Sequence, residues 1–154
     1  MKIKILVMDV DGTMTDGKIY IGSEGELLKA FNVKDGMGIS KLHAQNIIPA
    51  IITGRKSEIV KRRADELKIV DLFQGEDNKL EKLKELTERY DCDFTEVAYI
   101  GDDENDLACM RVCGFTGCPA DAVESVKREV NFICSKNGGE GSVREFIDII
   151  LKTS

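Results

Sequence analysis

The sequence predicts an α/β fold: a doubly wound, Rossmann-like and mostly parallel sheet in one domain over residues 1–154. Three observations predict it. Short apolar, β-branched runs alternate with amphipathic helical patterns along the chain. The runs are hydrophobic almost without interruption, as strands covered on both faces are. Polar clusters follow the clearest runs, at the strand ends where such sheets bind ligands.

The expected strands are 3–8, 47–52, 97–101 and 131–134, with a short one at 115–118. About twenty residues, 15–34, separate the first strand from the next helical pattern, far more than the usual ~2–6 of a βα loop. "KIYI", "GSEGE" and "LLKAFNV" read as a hairpin with a Gly-containing turn. There is too little sequence for a large second domain. In "SEIVKRRADELK", Val60, Ala64 and Leu67 line one helix face. In "NKLEKLKELTERY", Leu80, Leu83, Leu86 and Tyr90 form a stripe, with Asn78 and Glu81 at N-cap and N3 spacing. "DAVESVKREV" places Asp121 and Glu124 the same way. In "SVREFIDIILK", Val143, Phe146, Ile147, Ile150 and Leu151 recur at helical spacing, and Ser142 with Glu145 predicts a capping box.

Composition narrows the functions. The net charge is −6 and the pI about 4.9, which argues against a nucleic-acid or anionic-membrane surface. The apolar stretch at the N-terminus is short and interrupted by charge, so it reads neither as a signal peptide nor as a membrane span. Five cysteines, at 92, 109, 113, 118 and 134, have no disulfide-like spacing. Cys109 and Cys113 are one helical turn apart, but the lone histidine, His43, is remote in sequence, so buried thiols are the better reading than a metal site. Reduced thiols point to the cytoplasm.

"MDVDGTMTDG", residues 8–17, sets Asp9 and Asp11 two residues apart at the end of the first strand. Alone, such a pair is usually a turn. In phosphoryl transfer the same pair has a purpose. Asp9 can attack phosphorus. Asp11, on the same side of the extended chain, can give a proton to the leaving oxygen and later take one from water. Mg²⁺, bound by hard oxygen ligands, would shield the two anions from each other. Gly12 permits the tight turn. Thr53 ends "IPAIIT" and offers a hydroxyl. Lys79 sits near a helix start, where its charge and the dipole both favour an anion. In "GDDEND", Asp102 offers a further carboxylate to the metal, with Asp103 and Asp106 behind it to orient it. In isolation each has a plain structural reading; in this order, each at an element end, they point to one site.

"DVDGT", Thr53, Lys79 and "GDDEND" resemble the four motifs of the haloacid dehalogenase superfamily of phosphohydrolases. The resemblance spans the chain. It implies Asp9 as nucleophile and Asp11 as acid/base, with Thr53, Gly54 and Lys79 on the phosphate. It also implies Mg²⁺ held by Asp9, the Asp11 backbone carbonyl and Asp102. "TDGKIYIGSEGELLKAFNVKDGMGI", "IITGRKSEIVKRRADEL", "LFQGEDNKL" and "GGEGSVREFIDIIL" are more narrowly similar to the 3-deoxy-D-manno-octulosonate 8-phosphate phosphatase group. That likeness implies no large cap domain, a homotetramer whose hairpin and neighbouring surface close the site, and substrate contacts from Asn32, Val33, Lys34, Asp35, Gly36, Arg55 and Arg63. Two positions depart from the pattern: Ser40 stands where a basic residue is frequent, and "GGEG" with Glu140 replaces "GGRG". Both remove positive charge, which keeps a nine-carbon, sialic-type acid 9-phosphate as the alternative substrate. A phosphorylation-responsive signalling module would share the Asp, Thr and Lys, but it has no use for an acid at Asp11. A non-catalytic assembly protein would not need Asp9 or Asp102.

Overall fold

The computed structural model describes residues 1–153. Its centre is a six-stranded sheet, all parallel. The strands are β1 (Ile5–Met8), β4 (Ile48–Ile52), β5 (Asp71–Phe73), β6 (Val97–Ile100), β7 (Phe115–Cys118) and β8 (Phe132–Ile133), in the spatial order β5-β4-β1-β6-β7-β8. A separate antiparallel hairpin pairs β2 (Tyr20–Gly22) with β3 (Gly25–Leu28).

Alternation along the strands builds two cores. Leu6, Met8 and Ile51 face one side of the sheet, where Ile39 and Leu42 of α1 (Val33–Ala44), Val60 and Ala64 of α2 (Glu58–Glu66), and Phe146 and Ile147 of α6 (Ser142–Thr153) pack on them. Ile5, Val7, Ile52 and Tyr99 face the other side, under Leu83 and Leu86 of α3 (Lys79–Arg89), Cys109 of α4 (Leu107–Met110) and Val126 of α5 (Glu124–Lys127). Helices on both faces make the sheet doubly wound. Its chain order runs outward from β1 through β4 to β5, then returns to β6 on the other side. The C-terminal ends of β1, β4 and β6 therefore frame the switch point, where a crevice opens. No described helix is long and apolar enough to cross a membrane.

Three local expectations are corrected. β5 was not anticipated: it has three residues and opens on a charged one, so it has no apolar run to reveal it. Asp71 is buried there by an ion pair with Arg89 and a hydrogen bond from the Tyr90 hydroxyl. Ser142 and Glu145 do not form a capping box. The Ser142 hydroxyl donates to the Thr13 carbonyl, and Glu145 accepts from the N–H groups of Ser135 and Lys136. Asp121 does not cap α5, which starts after Val123; its Oδ1 accepts from Gly138 N at 3.1 Å. In both cases a tertiary contact claims the side chain that a local cap would have used. Asn78 does cap α3, accepting from Glu81 N at 3.1 Å.

Candidate active site

Asp9 lies one residue past β1, Thr53 one past β4, and Asp102 two past β6. Pairing of β1 with both neighbours brings these ends together. With Asp11, Gly54 and Arg55 they line an open cavity of about 360 Å³, whose remaining wall is Asp103 and Asn105.

The loop after β1 is wound tightly: the N–H groups of Thr13, Met14 and Thr15 all donate to the Val10 carbonyl. Gly12 takes φ +89°, and a Cβ there would lie 1.9 Å from Asp102 Oδ2. Only glycine allows this loop to lie against Asp102. The "GGEG" segment braces the loop from behind. Gly139 N donates to the Thr13 carbonyl at 3.2 Å, and a Cβ on Gly138 would come within 2.0 Å of the Gly12 carbonyl oxygen. Glu140 itself is exposed and is not among the cavity-lining residues.

Beneath the cavity is a buried ionic network. Lys79, the first residue of α3, places Nζ 3.0 Å from Asp9 Oδ1 and 2.9 Å from Asp106 Oδ1. Asp106 also accepts from the Tyr99 hydroxyl at 2.6 Å, and its Oδ2 takes the N–H groups of Asp102 and Asp103 at 3.2 and 3.4 Å. A buried carboxylate held by four donors is positioned rather than free to ligate. Burial lowers the proton affinity of the Lys79 ammonium, and Asp9 and Asp106 more than reverse this, so the lysine stays charged. Burial, then the nearby Asp106 charge, pushes Asp9 up to about 6. Burial and the facing Asp9 push Asp102 up to about 8.

Those shifts describe a site short of positive charge. Carboxylate oxygens of Asp9, Asp102 and Asp106 lie within 4.8 Å of one another. An all-oxygen donor set suits a hard divalent cation. Since Asp106 is already fully engaged, Asp9 and Asp102 are the pair open to such an ion. Thr13 Oγ1, 3.4 Å from Asp102 Oδ1, steadies the second of them.

The structure does not bring every candidate to this cavity. Asp103 does reach the cavity wall, but it is exposed and caps the turn Glu104–Asp106, accepting from Glu104 N at 2.7 Å. Arg55 lies on the cavity rim, before α2 begins, with Nε 4.0 Å from Asp11 Oδ2. Arg63 instead packs under the start of α1, its guanidinium 5.5 Å from the Phe31 ring centre and its Nη2 donating to the Asn32 carbonyl at 3.5 Å. Asn32 caps α1 and donates to the Gly139 carbonyl. Asp35 points inward, accepting from Arg144 N at 2.9 Å, and burial pushes its carboxyl up to about 6. Gly36 is buried, where a Cβ would meet Arg63 Nη2 at 3.0 Å. Val33 and Lys34 are exposed. Within one chain, Asn32–Gly36 and Arg63 thus stand outside the cavity lining.

Three contributors were missed by sequence reasoning. Tyr99 and Asn105 fall within or beside the expected strand and "GDDEND", where nothing in their spacing marks them. Lys29, on the hairpin, reaches Asp11 Oδ1 at 2.6 Å and Glu26 Oε2 at 3.1 Å.

Comparison with known proteins agrees with this architecture. A family model for haloacid dehalogenase-like hydrolases matches residues 64–147. The chain is 44% identical to the 3-deoxy-D-manno-octulosonate 8-phosphate phosphatase of Yersinia pestis over 97% of this chain and 80% of that one. It superposes with a TM-score of 0.95 on the phosphatase of that name from Moraxella catarrhalis in complex with magnesium ion, phosphate ion and KDO, at 45% identity over 99% and 87% of the two chains. The TM-score is also 0.95 against a cobalt-bound octulosonate 8-phosphate phosphatase from Haemophilus influenzae, at 38% identity over 98% and 88%. Family model, sequence identity and superposition agree, and the chain belongs to the haloacid dehalogenase-like hydrolases as a phosphatase that groups with the octulosonate 8-phosphate phosphatases.

Proposed function

We propose that this chain is a Mg²⁺-dependent phosphomonoesterase that hydrolyses 3-deoxy-D-manno-octulosonate 8-phosphate through an aspartyl-phosphate on Asp9. The observation that carries the reading is the convergence of Asp9, Asp11, Thr53 and Asp102 on one cavity, with an arginine at its rim. Asp9 oxygen attacks phosphorus as the bond to the sugar oxygen breaks, and Asp11 gives that oxygen its proton. Water then attacks the phosphorus of the acyl phosphate; Asp11 takes the water's proton, Asp9 is released as carboxylate and phosphate leaves. The Thr53 hydroxyl, the Gly54 N–H and the Lys79 ammonium are the donors for the phosphoryl oxygens. Mg²⁺, when held by Asp9, Asp102 and the Asp11 carbonyl, would offset the charge of phosphate and carboxylates.

The eight-carbon substrate rests on likeness to the named phosphatases and on Arg55. Its planar fork can hold a sugar-acid carboxylate through two hydrogen bonds. Arg55→Ala is expected to lower kcat/KM for the 8-phosphate about 10–100-fold more than for a small aryl phosphate, the worth of one charge-assisted contact. Steady-state assays with Mg²⁺ on both compounds, with a nine-carbon acid 9-phosphate alongside, test it. Equal losses would remove Arg55 from sugar-acid recognition. A native enzyme that prefers the 9-phosphate would overturn the substrate and return weight to Ser40 and Glu140.

A homotetramer closed by the hairpin is part of the same reading. Ile21 and Leu27 on the hairpin are 67% and 66% exposed, with Ile19, Tyr20 and Leu28 also bare. An exposed apolar patch of this kind supports an assembly role for the hairpin. Ile21→Asp combined with Leu27→Asp should shift the protein to smaller species in sedimentation velocity. An unchanged oligomer would refute the assembly role. Five free thiols fit work in a reducing compartment, the cytoplasm.

A further inference from the structure

Lys29 and Glu26 have no part in the phosphatase chemistry above, yet they touch it. The hairpin that carries them is mostly exposed, but the Lys29 side chain is only 4% exposed. Its Nζ donates to Asp11 Oδ1 at 2.6 Å and pairs with Glu26 Oε2 at 3.1 Å. The other oxygen of Glu26 accepts from the Ser57 hydroxyl at 2.5 Å. Ser57 is the N-cap of α2 and accepts from Val60 N at 3.3 Å. A line of hydrogen bonds therefore runs from the first turn of α2, through the hairpin, to the Asp11 carboxylate.

The arrangement has a clear physical consequence. Asp11 stands on a loop two residues past the nucleophile, and its side chain could occupy several staggered rotamers. A short, charge-assisted hydrogen bond from a buried ammonium selects one. The ammonium is fixed in turn, because a buried lysine must keep its partners. An ion pair serving only to staple the hairpin down would be complete with Glu26 and Ser57. The third partner is Asp11.

We propose that Lys29, held by Glu26, is a positioning residue: it orients the Asp11 carboxylate for proton exchange with the leaving oxygen and with water, so that the docked hairpin sets the acid–base half of the reaction. This rests on the reading of Asp11 as the acid and base.

The test is a double-mutant cycle of Lys29→Met and Asp11→Asn, assayed on the sugar-acid 8-phosphate and on p-nitrophenyl phosphate. Lys29→Met is expected to lower kcat for the sugar phosphate about 10–100-fold, as loss of one charge-assisted hydrogen bond does, with KM little changed. The aryl phosphate, whose leaving group needs no proton, should lose less in kcat/KM, which reports the steps up to the phosphoenzyme. Lys29→Arg should restore part of the rate. In the Asp11→Asn background, Lys29→Met should cost almost nothing further. Glu26→Gln should show the same pattern in weaker form, and it stands in should Lys29→Met fold poorly. Thermal midpoint and sedimentation are recorded for each variant. A loss in kcat/KM that is equal on both substrates, or one that persists in the Asp11→Asn background, or that follows a fall in thermal midpoint or oligomer size, overturns the proposal. Should Asp11→Asn alone show no dependence of kcat/KM on the leaving group, the acid–base reading fails first, and the single variant reveals that without reference to Lys29.

Discussion

Asp9→Asn is expected to remove phosphatase activity by about 10⁴-fold or more while leaving the fold intact, as loss of a covalent nucleophile does elsewhere. The carboxamide has nearly the shape of the carboxylate. Its oxygen can still accept from Lys79 Nζ, now 3.0 Å from Asp9 Oδ1, so the buried ammonium keeps both partners. What it cannot do is attack phosphorus. The substitution also removes one of three acidic groups whose oxygens crowd within 4.8 Å. With a chelator present, the thermal midpoint should therefore stay level or rise, since one source of like-charge repulsion is gone. Phosphate release near the native rate from a pure Asp9→Asn preparation would refute the nucleophile. A loss of activity accompanied by unfolding would instead assign Asp9 a structural role.

The parts legible in the sequence are those written in local pattern. β1 and β4 are apolar runs, and the polar residues at their ends stand out because they break those runs. Asn78 reveals the start of α3 through its spacing to Glu81, and that cap forms. Other features depend on partners far away in the chain. Ser142 has the correct local signature for a cap, but its hydroxyl bonds Thr13, 129 residues away. Asp121 is drawn to Gly138 for the same reason. Asp35 and Arg63 are expected from the family likeness to contact substrate, and a helix pattern does not tell that within one chain Asp35 turns inward to Arg144 and Arg63 packs on Phe31 and Asn32. Lys29 is the clearest case. In "GELLKAF" it looks like a solvated hairpin residue, and only the folding of the hairpin over the loop after β1 brings it to Asp11. Periodicity reports burial along one element and carries no information about which element lands on which.

Asp11→Asn separates the two halves of the proposed reaction. Asp11 is more accessible than Asp9 and stands between two cations, Lys29 on Oδ1 and Arg55 4.0 Å from Oδ2. Neither cation can replace it: an ammonium or guanidinium beside the leaving oxygen stabilises negative charge but does not take a proton from water. A sugar alkoxide is a poor leaving group and needs a proton as the bond to phosphorus breaks. Asp11→Asn should therefore slow the sugar phosphate by ~10²–10⁴-fold, the range of general acid–base catalysis. An aryl phosphate leaves without a proton, so its first step should be nearly spared. The second step lacks its base for both substrates. Rapid mixing with p-nitrophenyl phosphate should consequently give a burst of nitrophenol close to one equivalent per active site, followed by slow turnover, with phosphate trapped on Asp9. The native enzyme should show a smaller burst or none, because its base clears the acyl phosphate. An equal slowing of the burst phase and of sugar-phosphate hydrolysis would mean that Asp11 does not supply the leaving-group proton. No burst and no trapped phosphate, with turnover still slow, would mean that the covalent step itself depends on Asp11.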